Sequence, residues 1–228
     1  MSRRCVFVTG ATGYIGRPLI TALLARGQRV RALAREASAQ RVPRGAETVL
    51  GDALAPATFA GAVSPADTLV HLIGTPHPSP AKAASFQAVD LPSVDAALAA
   101  ARAAGVGHFV YVSVAQPAPV MRAYVAVRQA GEARIRASGI PATFLRPWYV
   151  LGPGHRWPYL LAPFYAIFTL LPPTRDAARR LGLVTLGQMV AALAAAVERG
   201  PQGVRILEVA DIRAAAAARS QHNRGEKP

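Results

Sequence analysis

Cysteine is nearly absent. With Cys5 as the sole thiol in 228 residues, the chain holds no internal disulfide framework and no cysteine-rich zinc site. Acid is scarce as well: 12 Asp and Glu stand against 26 Lys and Arg, for a formal net charge of +14. Lysine is rare in turn, because 24 of the 26 basic residues are arginine. A charge of that sign suits nucleic acid or an anionic membrane. The arginines are scattered, however, and the densest group, Arg175, Arg179 and Arg180, has the helical spacing of a solvated face. There is no zinc-finger spacing and no helix-turn-helix pattern, so nucleic acid is not the expected partner. A nucleophile elbow and a HExxH pair are also missing. Glycine and proline, 19 each, are spread along the chain, which excludes collagen and a low-complexity linker.

Long hydrophobic runs are lacking too. The basic start at Arg3-Arg4 mimics a signal peptide, but Thr9-Gly10, Gly13 and Gly16 break the apolar stretch that follows. A cytoplasmic protein is expected. The most apolar segment, Trp157–Thr174, is free of charge between Arg156 and Arg175. Its centre, Tyr159–Leu171, would span about 20 Å as a helix, short of the roughly 30 Å of a bilayer core. Pro163 and Pro172 interrupt or bound it. The expectation is a lid over an apolar substrate or a homo-oligomer interface. A shallow membrane-surface contact and a helix buried in the monomer are the alternatives.

What the chain has is a hydrophobic fraction of 52% with 17% charged residues, enough to bury a core. Residues 4–9 read as a short buried strand, and a helix then runs to Arg26 with Gly27 as its stop. Further strands are predicted over 28–34, 47–50, 68–73, 107–113, 140–146 and 204–209. Helices are predicted over 81–104, divided or kinked at Pro92, over 121–138 and over 186–199. Strands alternating with helices imply parallel strands, right-handed crossovers and an α/β doubly wound sheet of the Rossmann type. The reading divides the chain into a dinucleotide-binding core at 1–146, a substrate-side region at 147–213 and a flexible tail at 214–228.

The first strand–helix junction reads Thr9-Gly10-Ala11-Thr12-Gly13-Tyr14-Ile15-Gly16. The first glycine permits a tight turn, the second lets backbone approach a pyrophosphate, and the third lets helix pack close on strand. The free amides and partial positive charge of the helix N-terminus then face the phosphates. A glycine triplet alone is weak evidence, but its place at the opening of a βαβ array is the context that supports it.

This segment resembles the GxxGxxG fingerprint of extended and atypical short-chain dehydrogenases/reductases, including the NmrA-like branch. The resemblance extends over most of the chain. It implies that Gly10, Thr12, Gly13, Tyr14, Ile15 and Gly16 bind the nucleotide phosphates. It implies that Asp52 and Ala53 meet adenine, and that Leu72, Ile73 and Gly74 line the ribose. Leu145-Arg-Pro-Trp-Tyr-Val-Leu-Gly-Pro-Gly154 resembles the family's RPxxVxGPG segment, which places Pro147 near the nicotinamide. Residues 181–197 resemble the element bordering the substrate pocket.

Cofactor choice turns on the end of the second strand. An acid there favours NAD, whereas an arginine accommodates the 2′-phosphate of NADP. Arg35 occupies that place and Glu36 comes one residue late. NADP is expected, with NAD the alternative.

The resemblance also implies a working set of Ser, Tyr and Lys. Ser113 ends the fifth strand, and Tyr124 and Arg128 stand at i and i+4, on one helix face. Arg128 replaces the family's lysine. It supplies charge and donors, but it does not deprotonate and its fork reaches differently. Of the histidines, His71 reads as a satisfied core residue, and His77 and His155 lie in loops, with His155 in reach of a substrate. The leading expectation is an NADPH-dependent oxidoreductase acting on a small apolar carbonyl, enone or quinone-like substrate. The alternative is a non-catalytic nucleotide sensor or assembly factor.

Overall fold

Four apolar residues in succession, Cys5–Val8, and then Thr9 are all buried and form β1 at the centre of the sheet. Such continuous burial is what a strand covered on both faces requires. Around it lie β2 (Arg29–Ala34), β3 (Glu47–Leu50), β4 (Thr68–His71), β5 (His108–Val112) and β6 (Ala142–Leu145). The computed structural model describes residues 3–75, 78–118, 120–153 and 181–216. After the short strands β7 (Tyr149–Leu151) and β8 (Leu183–Thr185), β9 (Val204–Leu207) is the last strand among the described residues.

Seven strands form one sheet in the order β3-β2-β1-β4-β5-β6-β9, and every pairing is parallel. The chain thus winds outward from β1 in one direction to β3 and in the other to β9. The reversal falls between β1 and β4, the place where doubly wound sheets open a crevice at their carboxyl ends. The doubly wound α/β expectation holds.

Helices cover both faces. The main ones are α1 (Gly16–Leu24), α2 (Leu91–Ala103), α3 (Arg122–Ala137) and α4 (Leu186–Arg199). On one face, α2 and α3 pack with Phe7, Phe109, Tyr111 and Phe144. On the other, Leu19, Ile20 and Leu23 of α1 meet Leu193 and Val197 of α4 over Val6, Val8 and Val110. Each such fully buried side chain contributes about 1.5–3 kcal/mol. A capping box at Thr185 and Gln188 starts α4.

The elements differ from expectation mainly at their ends. The β4 strand stops at His71 rather than residue 73, because the Ile73 carbonyl turns to Arg128 instead of a neighbouring strand. Pro92 does not divide its helix: it lies in the first turn of α2, and the run from Ala83 continues through a wide π turn at Phe86–Asp90. The parallel pair β7–β8 was not foreseen. Residues 214–216 are helical. His77, His155, the arginine group at 175–180, the apolar segment 157–174 and the tail beyond residue 216 lie outside the described residues. Among the described residues no helix is long and apolar enough to cross a membrane.

Candidate active site

The loop after β1 shows why its glycines are glycines. Gly10 has φ +70°, and a Cβ there would lie 2.9 Å from the Leu72 carbonyl carbon. At Gly16 a Cβ would collide with the Gly10 carbonyl oxygen and sit 2.8 Å from that of Ala11. The Gly13 amide donates back to Gly10 O at 3.0 Å, closing the turn. Helix α1 then begins with no side-chain cap and no acid in its first turn. Its leading amides and positive dipole end are therefore presented to an anion. These residues fit a dinucleotide pyrophosphate. The Tyr14 hydroxyl packs against Gly152, joining the phosphate loop to the end of β7.

The other expected cofactor residues lie along the same carboxyl edge. Leu72 touches Gly10, and its amide donates to Thr9 O at 3.3 Å. Pro147 is buried, and its carbonyl accepts from Ala115 N at 3.0 Å, tying the ends of β5 and β6 together. At the end of β3, exposed Asp52 accepts from Leu54 N through Oδ1 at 2.9 Å, with half-buried Ala53 between them. Arg35 directly follows β2 and is exposed; its carbonyl accepts from Ser38, and its guanidinium has no ion-pair partner among the described residues.

Tyr124 and Arg128 share one face of α3, as their spacing implies. The guanidinium lies 5.1 Å from the Tyr124 ring centre, and Phe86 packs on the same ring at 5.1 Å. Arg128 itself is buried, and its donors point into the protein. Nη1 donates to Val112 O at 3.1 Å and to Ile73 O and the Tyr111 hydroxyl at 3.3 Å each. Nη2 pairs with Asp90 Oδ2 at 3.3 Å. Burial opposes the Arg128 charge, but Tyr124, Tyr111 and Asp90 outweigh it and push its pKa upward. A Cβ on Gly74 would overlap Nη2, so glycine there makes room for the guanidinium.

Asp90, absent from the expected set, is fully buried and accepts from Thr75 N at 2.7 Å and Thr75 Oγ1 at 2.9 Å. Next to it runs a neutral chain. Ser93 Oγ donates to Asp90 O at 2.8 Å, which leaves it to accept from His71 Nε2 at 3.2 Å. Nδ1 of His71 then accepts from Thr9 Oγ1 at 2.9 Å, so both ring nitrogens are satisfied. Full burial, with the Arg128 charge nearby, lowers the His71 pKa to about 3. His71 is the satisfied core histidine the sequence suggests. Asp90 carried no signal in the sequence that sets it apart from Asp95, the other acid of the same Ala-rich helical run.

Ser113 directly follows β5, its amide bonded to Leu145 O at 2.8 Å. Its hydroxyl is buried and, among the described residues, completes no well-formed hydrogen bond, lying in the field of Glu132, whose charge it helps to hold. Glu132 is buried on α3 and accepts from Arg146 Nε at 2.9 Å, Arg146 Nη2 at 2.6 Å and Gln116 Nε2 at 2.9 Å. Burial raises its pKa, but the bonds from Arg146 and its neighbours prevail and lower it. Arg146 also pairs with Glu208 at 3.0 Å, so the Arg-Pro segment is pinned to α3 and to the residue after β9.

A glycine cradle at the switch point of a parallel sheet, with Tyr and a cation on the helix after β5, defines the dinucleotide-binding fold of the extended and atypical short-chain dehydrogenases/reductases. The NAD(P)H-binding family profile matches residues 10–155, and the chain belongs to that family. The chain is 34% identical over 155 residues to ceramide reductase of Caulobacter vibrioides, covering 67% of this chain and 48% of that protein. It is 39% identical over 109 residues to 4-hydroxy-2-methyl-3-oxo-4-farnesyl-3,4-dihydroquinoline-1-oxide ketoreductase of Stigmatella aurantiaca, covering 47% of this chain and 32% of that one. The chain thus matches about half, or less, of the length of these relatives. Its fold is that of Bordetella bronchiseptica WbmH in complex with NAD+ (TM-score 0.67, 20% identity, 90% of this chain and 75% of that one). UDP-N-acetylglucosamine 4-epimerase of Bacillus cereus is similarly close (TM-score 0.67, 17% identity, 90% and 79%).

Proposed function

We propose that this protein is an NADPH-dependent reductase of a small apolar carbonyl, enone or quinone-like compound. The observation that carries the reading is the Tyr124 phenol, held beside the permanently charged Arg128 at the carboxyl edge of β5. Residues 1–146 serve as the nucleotide-binding core, 147–213 border the substrate, and 214–228 form a tail. The amides of Gly13–Gly16 hold the pyrophosphate, and Arg35 holds the 2′-phosphate with a fork suited to bidentate bonding. Asp52 and Ala53 border the adenine; Leu72, Ile73 and Gly74 border the ribose; Pro147 borders the nicotinamide. The bound reduced nicotinamide supplies a hydride. Tyr124 donates its phenolic proton to the oxygen on which negative charge develops, and Ser113 orients that oxygen. The two relatives named above are both reductases, which supports turnover over the nucleotide-sensor alternative.

The test is NADPH oxidation across a panel of small ketones, enones and quinones. General acid catalysis contributes about 10²–10⁴-fold, so Tyr124→Phe should lower kcat by that order with NADPH affinity retained. Full activity in the variant contradicts the proton-donor role. Tight NADPH binding without turnover on any of the panel favours the sensor.

A further inference from the structure

The Nη1 and Nη2 donors of Arg128 are taken up by the protein, while its buried Nε has no partner among the described residues, and one carboxylate shares in that arrangement. Asp90 receives Thr75 N and Oγ1 on Oδ1 and the Arg128 guanidinium on Oδ2. Arg128 adds Ile73 O and Val112 O. The pair therefore ties three pieces of backbone together: the loop after β4, the end of β5 and the middle of α3. Its guanidinium also packs on the Tyr124 ring, which Phe86 contacts as well. Phe86 and Asp90 bound the same π turn, so one backbone irregularity supplies both the packing surface and the carboxylate. Wide turns of this kind recur at functional sites. With Asp90 wholly buried, removing its charge leaves an uncompensated buried guanidinium, a strongly unfavourable state.

We infer that Asp90 is the positioning residue of this site: acting through Arg128, it holds Tyr124 and residues 73–75 as one rigid unit. Arg128 then differs from a ribose-binding cation in the demand it makes on residue type. A lysine in its place has one compact ammonium and cannot span Ile73 O, Val112 O, Tyr111 and Asp90 together. Gly74 belongs to the unit as well, since only glycine leaves space for Nη2.

The kinetic half of the test rests on the reductase reading; the exchange half does not. Asp90→Asn and Arg128→Lys are compared with wild type and Tyr124→Phe for kcat, for NADPH dissociation constant and for amide hydrogen exchange at Thr75. A misplaced reacting group costs about a hundredfold. Both variants should lose about that much kcat, with a smaller loss of NADPH affinity through the loosened residues 73–74. Thr75 should exchange at least about tenfold faster in both, but not in Tyr124→Phe, with β1 and β4 amides unchanged. A purely stabilising pair would lower Tm and leave the kcat of folded protein intact, which overturns the proposal. Wild-type or higher kcat in Arg128→Lys, with weakened NADPH binding in Asp90→Asn, would instead make residue 128 a ribose ligand. If no substrate turns over, the reductase reading fails while Thr75 still decides: unchanged exchange in Arg128→Lys overturns the positioning role. If Asp90→Asn does not fold, Arg128→Lys carries both readouts.

Discussion

Thr9 Oγ1 donates to His71 Nδ1 at 2.9 Å, joining the last residue of β1 to the last residue of β4 across the point where the sheet reverses its winding. Each residue is immediately followed by a segment expected to meet nucleotide. The bond therefore sets the spacing between the glycine loop and the 72–74 loop, and it requires a neutral imidazole.

That requirement gives a pH dependence. The folded-state pKa of His71 is about 3 against an ordinary value of 6.5, so the unfolded chain takes up the proton more readily. The stability it contributes is present above pH 6.5 and is lost as pH falls toward 3. His108, lowered to about 4 by burial and by the Arg4 and Arg205 charges, acts in the same direction. Each such group adds a slope of about 1.4 kcal/mol per pH unit between its two pKa values. Urea unfolding at pH 7, 6, 5 and 4.5 should show stability falling with pH, and a His71→Gln variant should show a shallower fall. An unchanged slope in the variant would contradict a buried neutral His71.

Gly16→Ala should abolish nucleotide binding. Its Cβ would strike the carbonyl oxygens of Gly10 and Ala11, which are backbone and cannot rotate away. Gly61, whose added Cβ meets nothing, is the control. NADPH titration should give at least about a hundredfold weaker binding for Gly16→Ala and wild-type binding for Gly61→Ala. Equal binding in both would mean that the loop is not the phosphate cradle.

Glu132→Gln should destabilise by about 3 kcal/mol, in the range for breaking a buried pair from one side. Arg146 would then keep, among the described residues, Glu208 alone as its carboxylate partner. Thermal unfolding of variant and wild type measures this, and a shift within the scatter of surface substitutions would show that the pair adds nothing.

The fold was legible because the central strands β1, β4, β5 and β6 are short, mostly apolar, buried runs and each crossover helix has a clear stop. The glycine loop was legible because its spacing is dictated by backbone contact. The β7–β8 pair was not, since three-residue strands separated by 31 residues carry no readable periodicity. Tyr124 and Arg128 could be placed on one helix face from their spacing alone. The inward aim of Arg128 could not, because it depends on Asp90, which reaches it across 38 residues of sequence. An acid in an Ala-rich run, Asp90 or Asp95 alike, reads as a solvated residue until the sheet brings α2 and α3 together and buries the first of them.

The central claim, an NADPH site built on Arg35, is tested most directly by titrating the purified protein with NADPH and with NADH, before and after Arg35→Ala. Arg35 follows β2, exposed and without an ion-pair partner among the described residues, so a 2′-phosphate would meet an uncommitted guanidinium. A charge-assisted bidentate contact is worth about 1.5–3 kcal/mol, or roughly 10- to 100-fold in affinity. The expected result is NADPH binding tighter than NADH by that factor in the wild type, with the gap closing in Arg35→Ala through loss of NADPH affinity alone. Equal affinities for the two nucleotides in the wild type, or a gap that survives the substitution, would contradict it.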